Sequence, residues 1–411
     1  MNSGNSDAAA PVTSAARVGE LDVLRGFALL GVLVVNIMSW LVYPWFATEA
    51  QTDALVVTQA DENAQFMMMW LGADKANTLF AFLFGVGFAV QMERLEGRGA
   101  DFQRIYRRRL FVLLAFGLVH LLFFWPFDIL HLYALAGFML LAVRRVSDRV
   151  LLGVGLILAF AARPVIAFVL EETGISGPAF KASFNDAAIM ERANETSLFG
   201  LSGEFFEAGV FGWMASGYIL AWLFYAFGRF LLGAYVARKG WIQRSGELLG
   251  GWRKVALICL PLGLAGQFVA AAIDLETWEW LAQLEWAHAW VHYPTVPLIA
   301  AGYVATLILI FHSPAKPLAL VFAPVGRMAL TNYVTQSFVI GFLAYKAAGG
   351  PALAGNAGPA LLIGIAFAIY AAQTVFSHFW LSRFAYGPLE WCWRTLTYGE
   401  APRMRREALP A

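Results

Sequence analysis

The sequence predicts an all-α polytopic integral membrane protein of about ten transmembrane helices, with both termini cytoplasmic and a central polar cavity. Three observations predict it. The 411 residues are 60% hydrophobic and only 14% charged, with a mean hydropathy of +0.63, whereas a soluble protein carries about 25% charged residues. Apolar runs long enough to approach the ~20 residues of a bilayer-spanning helix recur along the chain. The segments between them alternate between basic and acidic, which is the pattern that sets membrane topology. A net charge of +1 argues against nucleic acid as a partner.

Residues 1–16 are small and polar and read as a disordered tail, without a basic-then-apolar signal peptide before the first run. Residues 17–399 form a single transmembrane domain, and 400–411 a basic tail. The apolar runs fall at 23–43, 77–92, 110–125, 129–143, 150–170, 212–236, 254–273, 290–311, 325–346 and 358–381. The 77–92 run extends back toward Phe66 and Leu71. Basic connections hold Arg17 and Arg25; Arg94, Arg98, Arg104 and Arg107 to Arg109; Arg144, Arg145 and Arg149; Arg238, Lys239, Arg244, Arg253 and Lys254; and Arg383, Arg394, Arg403, Arg405 and Arg406. The intervening connections are acidic or neutral. One carries Glu49, Asp53, Asp61, Glu62 and Asp74, the long segment 171–208 carries several acids, and a third carries Asp274, Glu276, Glu279 and Glu285. Basic loops stay in the cytoplasm, so an even number of crossings follows, in a bacterial-type plasma (inner) membrane. No composition shift marks a soluble domain. The segment 171–208 reads as amphipathic cap helices, and 349–358 (GGPALAGNAG) as a flexible outer loop. Cys259 and Cys392 suggest neither a disulfide framework nor a metal site.

Polar residues inside the runs are the candidate sites, because ionisable groups at membrane depth are costly. In LDVLRGFALLGVLVVN, Asp22 and Arg25 share a face at the cytoplasmic mouth of the first helix, and Asn36 lies deeper on roughly the same stripe. Arg25 either snorkels to the interface or guides an anion inward. Asp74 begins the second run, where an acid suits a helix N-terminus; Gly85 and Gly87 read as packing residues. RRRLFVLLAFGLVHLLFFWPFDILHLY, beginning at Arg107, is a helical hairpin that turns at Trp125 to Asp128. His120 lies about 15 Å past Leu110, near the midplane. Asp128 is three residues before His131, a carboxylate–imidazole pair that suits a general base. The alternative is a hairpin whose histidines only bond neighbouring helices.

Arg163, beside Pro164, and Arg229 are further buried cations that pair with an acid or bind an anion. Glu285, His288 and His292 share a face amid tryptophans and read as an interfacial belt; no metal is expected, since a site needs three or four ligands. GRMALTNYVTQS opens the ninth run from the cytoplasm with Arg327 and Asn332. GPLEWCWRTLTYG, containing Glu390 and Arg394, reads as a membrane-surface anchor helix.

These motifs, with LFAFLFGVGF and DILHLYALAGF, occur in the order of the YeiB-type membrane proteins (domain-of-unknown-function family 418), and the chain resembles that family from Arg17 to Gly399. The C-terminal family-418-like region runs from about 228 to 399. More distantly, the chain is similar to transmembrane acyltransferases typified by heparan-α-glucosaminide N-acetyltransferase. Their Leu-Asp-x-x-Arg-Gly helix ending in Val-Asn is matched by Leu21, Asp22, Arg25, Gly26, Val35 and Asn36, and their Asp-initiated aromatic helix by Asp74 and Gly85. The resemblance implies transfer of an acyl group from cytoplasmic acyl-CoA or acetyl-CoA, as co-substrate, to an outer small-molecule, lipid or glycan acceptor. The chain departs from that pattern in having no histidine between Asn36 and Asp74, where those enzymes carry their catalytic histidine. Under this reading Asp22, Arg25, Arg327 and Asn332 hold the co-substrate. Asn36 polarises the carbonyl, and His120, or His131 backed by Asp128, is the base. The competing reading is a transporter or exporter of a small solute or lipid that uses the buried His, Asp and Arg residues. The bilayer, and a second copy of the chain in a homodimer, are the other expected partners.

Overall fold

The computed structural model describes residues 19–42, 55, 57–173, 197–207, 209–210, 214 and 217–406. The two termini, and most of the acidic segments around Glu49 and in 171–208, lie outside the described residues. The described chain is helical, with one isolated antiparallel bridge between Phe384 and Arg405.

The helices are α1 (Gly19–Leu41), α2 (Gln59–Leu71), α3 (Lys75–Gly97), α4 (Phe102–Phe123), α5 (Leu130–Ala142), α6 (Asp148–Glu172), α7 (Leu198–Glu207), α8 (Tyr218–Arg238), α9 (Leu249–Asp274), α10 (Glu285–Phe311), α11 (Lys316–Leu320), α12 (Ala323–Arg327), α13 (Ala329–Ala344), α14 (Pro359–Arg383) and α15 (Pro388–Tyr398). Each of the ten expected runs coincides with a helix. Among the described residues, seven helical stretches are long and apolar enough to cross a membrane, with α2 and α3 counted as one, and the molecule is a multi-pass membrane protein. Among the other three, α4 spends its first turns on Arg104 and Arg107 to Arg109, and α5 and α13 are short, at 13 and 16 residues. Two boundaries differ from expectation. Of the 212–236 run, the described α-helix is Tyr218–Arg238, and Phe66 to Leu71 belongs to a separate helix. Asp74, with a left-handed φ of 64°, divides α2 from α3.

Local chemistry sets the helix ends. Thr58 and Asp61 form a capping box at α2. Asp61 also accepts from the Ala360 N–H at 2.9 Å and so caps α14. Asp101 caps α4 through the Arg104 N–H at 3.1 Å.

The helix α1 is central, packing against α3, α10, α12, α13 and α14, while α8 packs on α3, α5 and α6. Gly26 and Gly326 bring α1 and α12 into main-chain contact, since a side chain on either would meet the other helix's backbone region. That approach sets Asp22, Arg25 and Arg327 around one mouth. At the other end of α1, Trp40 stacks on Trp125 with ring centroids 3.9 Å apart, which seats the α4–α5 turn.

Candidate functional site

The hairpin converges on Asp128. Its Oδ1 lies 2.8 Å from His120 Nδ1, and its Oδ2 lies 3.1 Å from His131 Nδ1. Oδ2 also accepts the His131 N–H at 2.8 Å, the bond of an acid at a helix N-terminus. Gly117 makes the arrangement possible. One turn before His120, it lies against the main chain of Leu130 and His131, where any side chain would force α4 and α5 apart. All three side chains are buried, Asp128 completely. Tyr333, on α13, places its hydroxyl 3.5 Å from Asp128 Oδ1 and its ring beside His120. A carboxylate at Nδ1 selects the Nδ1–H tautomer and leaves Nε2 basic. His120 Nε2 is buried and has no hydrogen-bond partner among the described residues.

A cavity of about 320 Å³ leads toward this pair from the basic end of the molecule. Arg25, Arg94, Arg98, Arg109, Arg327 and Arg394 line it, against only two acids, Asp22 and Glu390. Asp22 is engaged by Arg25 at 3.5 Å. Glu390 is tied to the start of α13: its Oε1 accepts the N–H groups of Leu330 (2.7 Å) and Thr331 (3.1 Å), and its Oε2 accepts the Thr331 hydroxyl at 2.6 Å. Burial pushes the Glu390 carboxyl above the usual glutamate range, against the pull of those donors. The lining therefore holds more basic than acidic side chains. Its inner end is closed by Ile129, Leu130, Tyr133 and Tyr333, and the last of these stands between the cavity and His120.

The structure divides the expected site residues. Arg25, Asp22 and Arg327 line the cavity, and His120, Asp128 and His131 form one cluster at its inner end. Asn36 is outside the lining, which reaches only Val32 on α1, because the hairpin closes the cavity before that depth. Asn332 is buried in the packing instead. Its side-chain amide donates to Ser377 Oγ (3.0 Å) and the Val325 carbonyl (3.3 Å), and its main-chain carbonyl accepts from Gln373. The helix α15 is more than a surface anchor. Trp393 stacks on Arg109 at 3.7 Å and donates to the Arg109 carbonyl, so α15 forms a wall of the cavity. Its strong amphipathic pattern looked like a membrane face in the sequence, whereas its polar side faces the arginines. Tyr333 and Glu390 were not legible as site residues, since only the fold brings them to α4 and α12–α13.

A second buried cluster joins residues the sequence left apart. Asp74 Oδ2 bonds Arg163 Nη1 at 2.6 Å and His292 Nε2 at 2.9 Å. Tyr225 donates to the Asp74 carbonyl at 3.1 Å and shares a 2.5 Å bond with Thr78, which accepts from Arg229 Nε at 3.0 Å. His292 is thus a hydrogen-bond partner of Asp74 inside the helix packing rather than part of an interfacial belt, and His288 stacks on it. Among the described residues no group of three or more His, Cys, Asp or Glu is placed to hold a metal ion.

The family described as Protein of unknown function (DUF418) matches residues 236–400. The chain is 31% identical over 407 residues to the Uncharacterized protein YxaH of Bacillus subtilis (strain 168), covering 94% of this chain and 96% of that one. It is 30% identical over 395 residues to the Uncharacterized 39.9 kDa protein in amylase 3'region of Bacillus acidopullulyticus, with 94% and 96% covered. To the Uncharacterized protein YeiB of Escherichia coli (strain K12) it is 28% identical over 409 residues, with 92% and 95% covered.

Proposed function

The chain belongs to the YeiB-type DUF418 family, and we propose that it is a transmembrane acyltransferase that passes a short acyl group from acyl-CoA to an acceptor at the opposite face. What supports this reading is a cationic cavity that ends beside a buried imidazole with a free Nε2, backed by a carboxylate at Nδ1. The phosphates of the co-substrate sit among Arg25, Arg327 and the neighbouring arginines, which suit phosphate by geometry and permanent charge. The thioester arm extends toward Tyr333.

The acceptor's O–H or N–H gives its proton to His120 Nε2 as the acceptor atom bonds to the thioester carbon. The C–S bond then breaks, and the imidazolium returns the proton to the departing thiolate. Asp128 holds the tautomer and stabilises the imidazolium. Tyr333, rather than Asn36, is the hydroxyl donor at the carbonyl. Positive-rich connections face the cytoplasm in a bacterial inner membrane, which puts the arginine mouth on the side where acyl-CoA is made and places both termini there, with ten crossings.

The test is transfer of labelled acetyl from acetyl-CoA in proteoliposomes of the full chain. Arg25→Ala and Arg327→Ala are expected to raise KM for acetyl-CoA at least tenfold. Unchanged KM in both would remove the assigned binding role. The Asp74–Arg163–His292 cluster favours a second reading, proton-coupled transport. Under that reading, proteoliposomes acidify or alkalinise with solute gradients in the absence of acyl-CoA, and His292→Ala stops the flux.

A further inference from the structure

A second cavity, of about 550 Å³, lies on the other side of α3 and shares no lining residue with the first. It sits between α3, α8, α9 and α10, within the roughly 300–1,000 Å³ range of small-molecule pockets. Its walls are almost wholly apolar, with Phe82, Leu232, Val255 and Val304 among them, and Trp241 is 41% exposed at its rim. The one charged residue lining it is Arg229, about 14 Å along α8 from its basic end.

Arg229 is 2% exposed. Its Nε donates to Thr78 and its Nη1 to the Tyr225 carbonyl at 2.9 Å, and its guanidinium lies 3.2 Å from the Tyr225 ring centroid. Its Nη2 makes no hydrogen bond, and no carboxylate among the described residues pairs with it. The nearest acid in this layer is Asp74, whose Oδ2 is taken up by Arg163 and His292. Two guanidinium groups therefore share a layer with one carboxylate. A buried charge without its counter-ion is costly, and at membrane depth it marks a place for an anion.

We propose that this groove binds a long-chain fatty acid drawn from the bilayer, with its carboxylate on Arg229 Nη2 and its hydrocarbon chain along the apolar walls. Charge selects a monoanion. One free guanidinium nitrogen beside a hydroxyl already in use matches a carboxylate, whereas a phosphate dianion would need donors the groove does not supply. The surrounding walls reward a hydrocarbon chain and disfavour a small hydrophilic anion. The inference does not depend on acyl transfer, since the two cavities are separate.

The experiment measures equilibrium binding of tritiated palmitate to the full chain in nanodiscs. Saturable binding is expected, with unlabelled palmitate competing and palmitate methyl ester failing to compete at tenfold higher concentration. Arg229→Leu is expected to weaken binding at least tenfold. Ala301→Trp, which fills the groove and leaves Arg229 in place, should abolish it. Equal competition by the methyl ester would overturn the carboxylate assignment. Palmitate binding that survives Ala301→Trp would overturn the site. Recovery of a two-chain phospholipid from purified wild type, lost in Ala301→Trp, would show a phospholipid groove instead and overturn the proposal.

Discussion

Each carboxylate oxygen of Asp128 bonds a different histidine, and this division separates the roles of two residues that look equivalent in the sequence. His131 is fixed twice, through its ring and through its own N–H. His120 is fixed only at Nδ1 and keeps Nε2 unpartnered beside Tyr333. If it is the base, His120→Ala should lower kcat for acetyl transfer about 10²–10⁴-fold, with KM for acetyl-CoA within about twofold. His131→Ala should act mainly through folding and be visible in Tm. Equal kcat loss in both variants with equal Tm would remove this division of labour. Glu390 offers a pH test at the same scale. Because burial raises its folded-state value, the native protein holds a proton that the unfolded chain has released. Stability should therefore fall as pH rises from the ordinary glutamate range through the raised value, with the loss complete above it. Comparing Tm against pH for wild type and Glu390→Gln checks this: the variant's curve should lose that slope. A steeper fall in the variant would contradict the assignment.

At the scale of elements, the site depends on how closely α4 approaches α5. Gly117 lies on the main chain of Leu130 and His131, and Gly137 lies on Leu110 at the other end of the same crossing. Gly117→Val would insert a branched side chain into that contact. Overpacking of this kind costs about 1–3 kcal/mol, and here it also pulls Asp128 away from His120. We expect a lowered Tm in detergent together with loss of acetyl transfer, while Gly153→Val, at a position with open space, should leave both nearly unchanged. The helix pattern and its turn at Pro126 were legible from residue types. The register that sets Asp128 between the two rings was not, because sequence spacing does not specify how far one helix slides along another. The same limit explains α15. Its amphipathic pattern announces two faces, and only the packing of Trp393 on Arg109 shows that the polar face covers a cavity.

At the scale of the molecule, the arginines at the cavity mouth come from α1, α3, α4, α12 and α15, so segments distant in sequence place a single electrostatic surface at one end. The orientation that puts this end in the cytoplasm is testable without any assumed chemistry. In a chain carrying Cys259→Ala and Cys392→Ala, a membrane-impermeant maleimide applied to intact cells should label Asn356→Cys and spare Glu96→Cys, both exposed positions. The reverse pattern would place the arginine mouth outside and remove cytoplasmic acyl-CoA as its ligand.

The sequence by itself determined the class, the helical runs and the alternation of charge, because hydropathy and the placement of arginines act locally and need no partner. It also singled out Asp22, Arg25, His120, Asp128 and His131. Only the tertiary structure decided that Asn36 and Asn332 lie outside the cavity and that Tyr333 and Glu390 complete it. The fold likewise decided that Asp74 bonds both Arg163 and His292 while Arg229 bonds no carboxylate among the described residues. The physical reason is that burial and pairing of a charge are properties of the space between helices. That space is set by close main-chain contacts such as Gly117 on His131 and Gly26 on α12, whose partners lie far from them or across a turn.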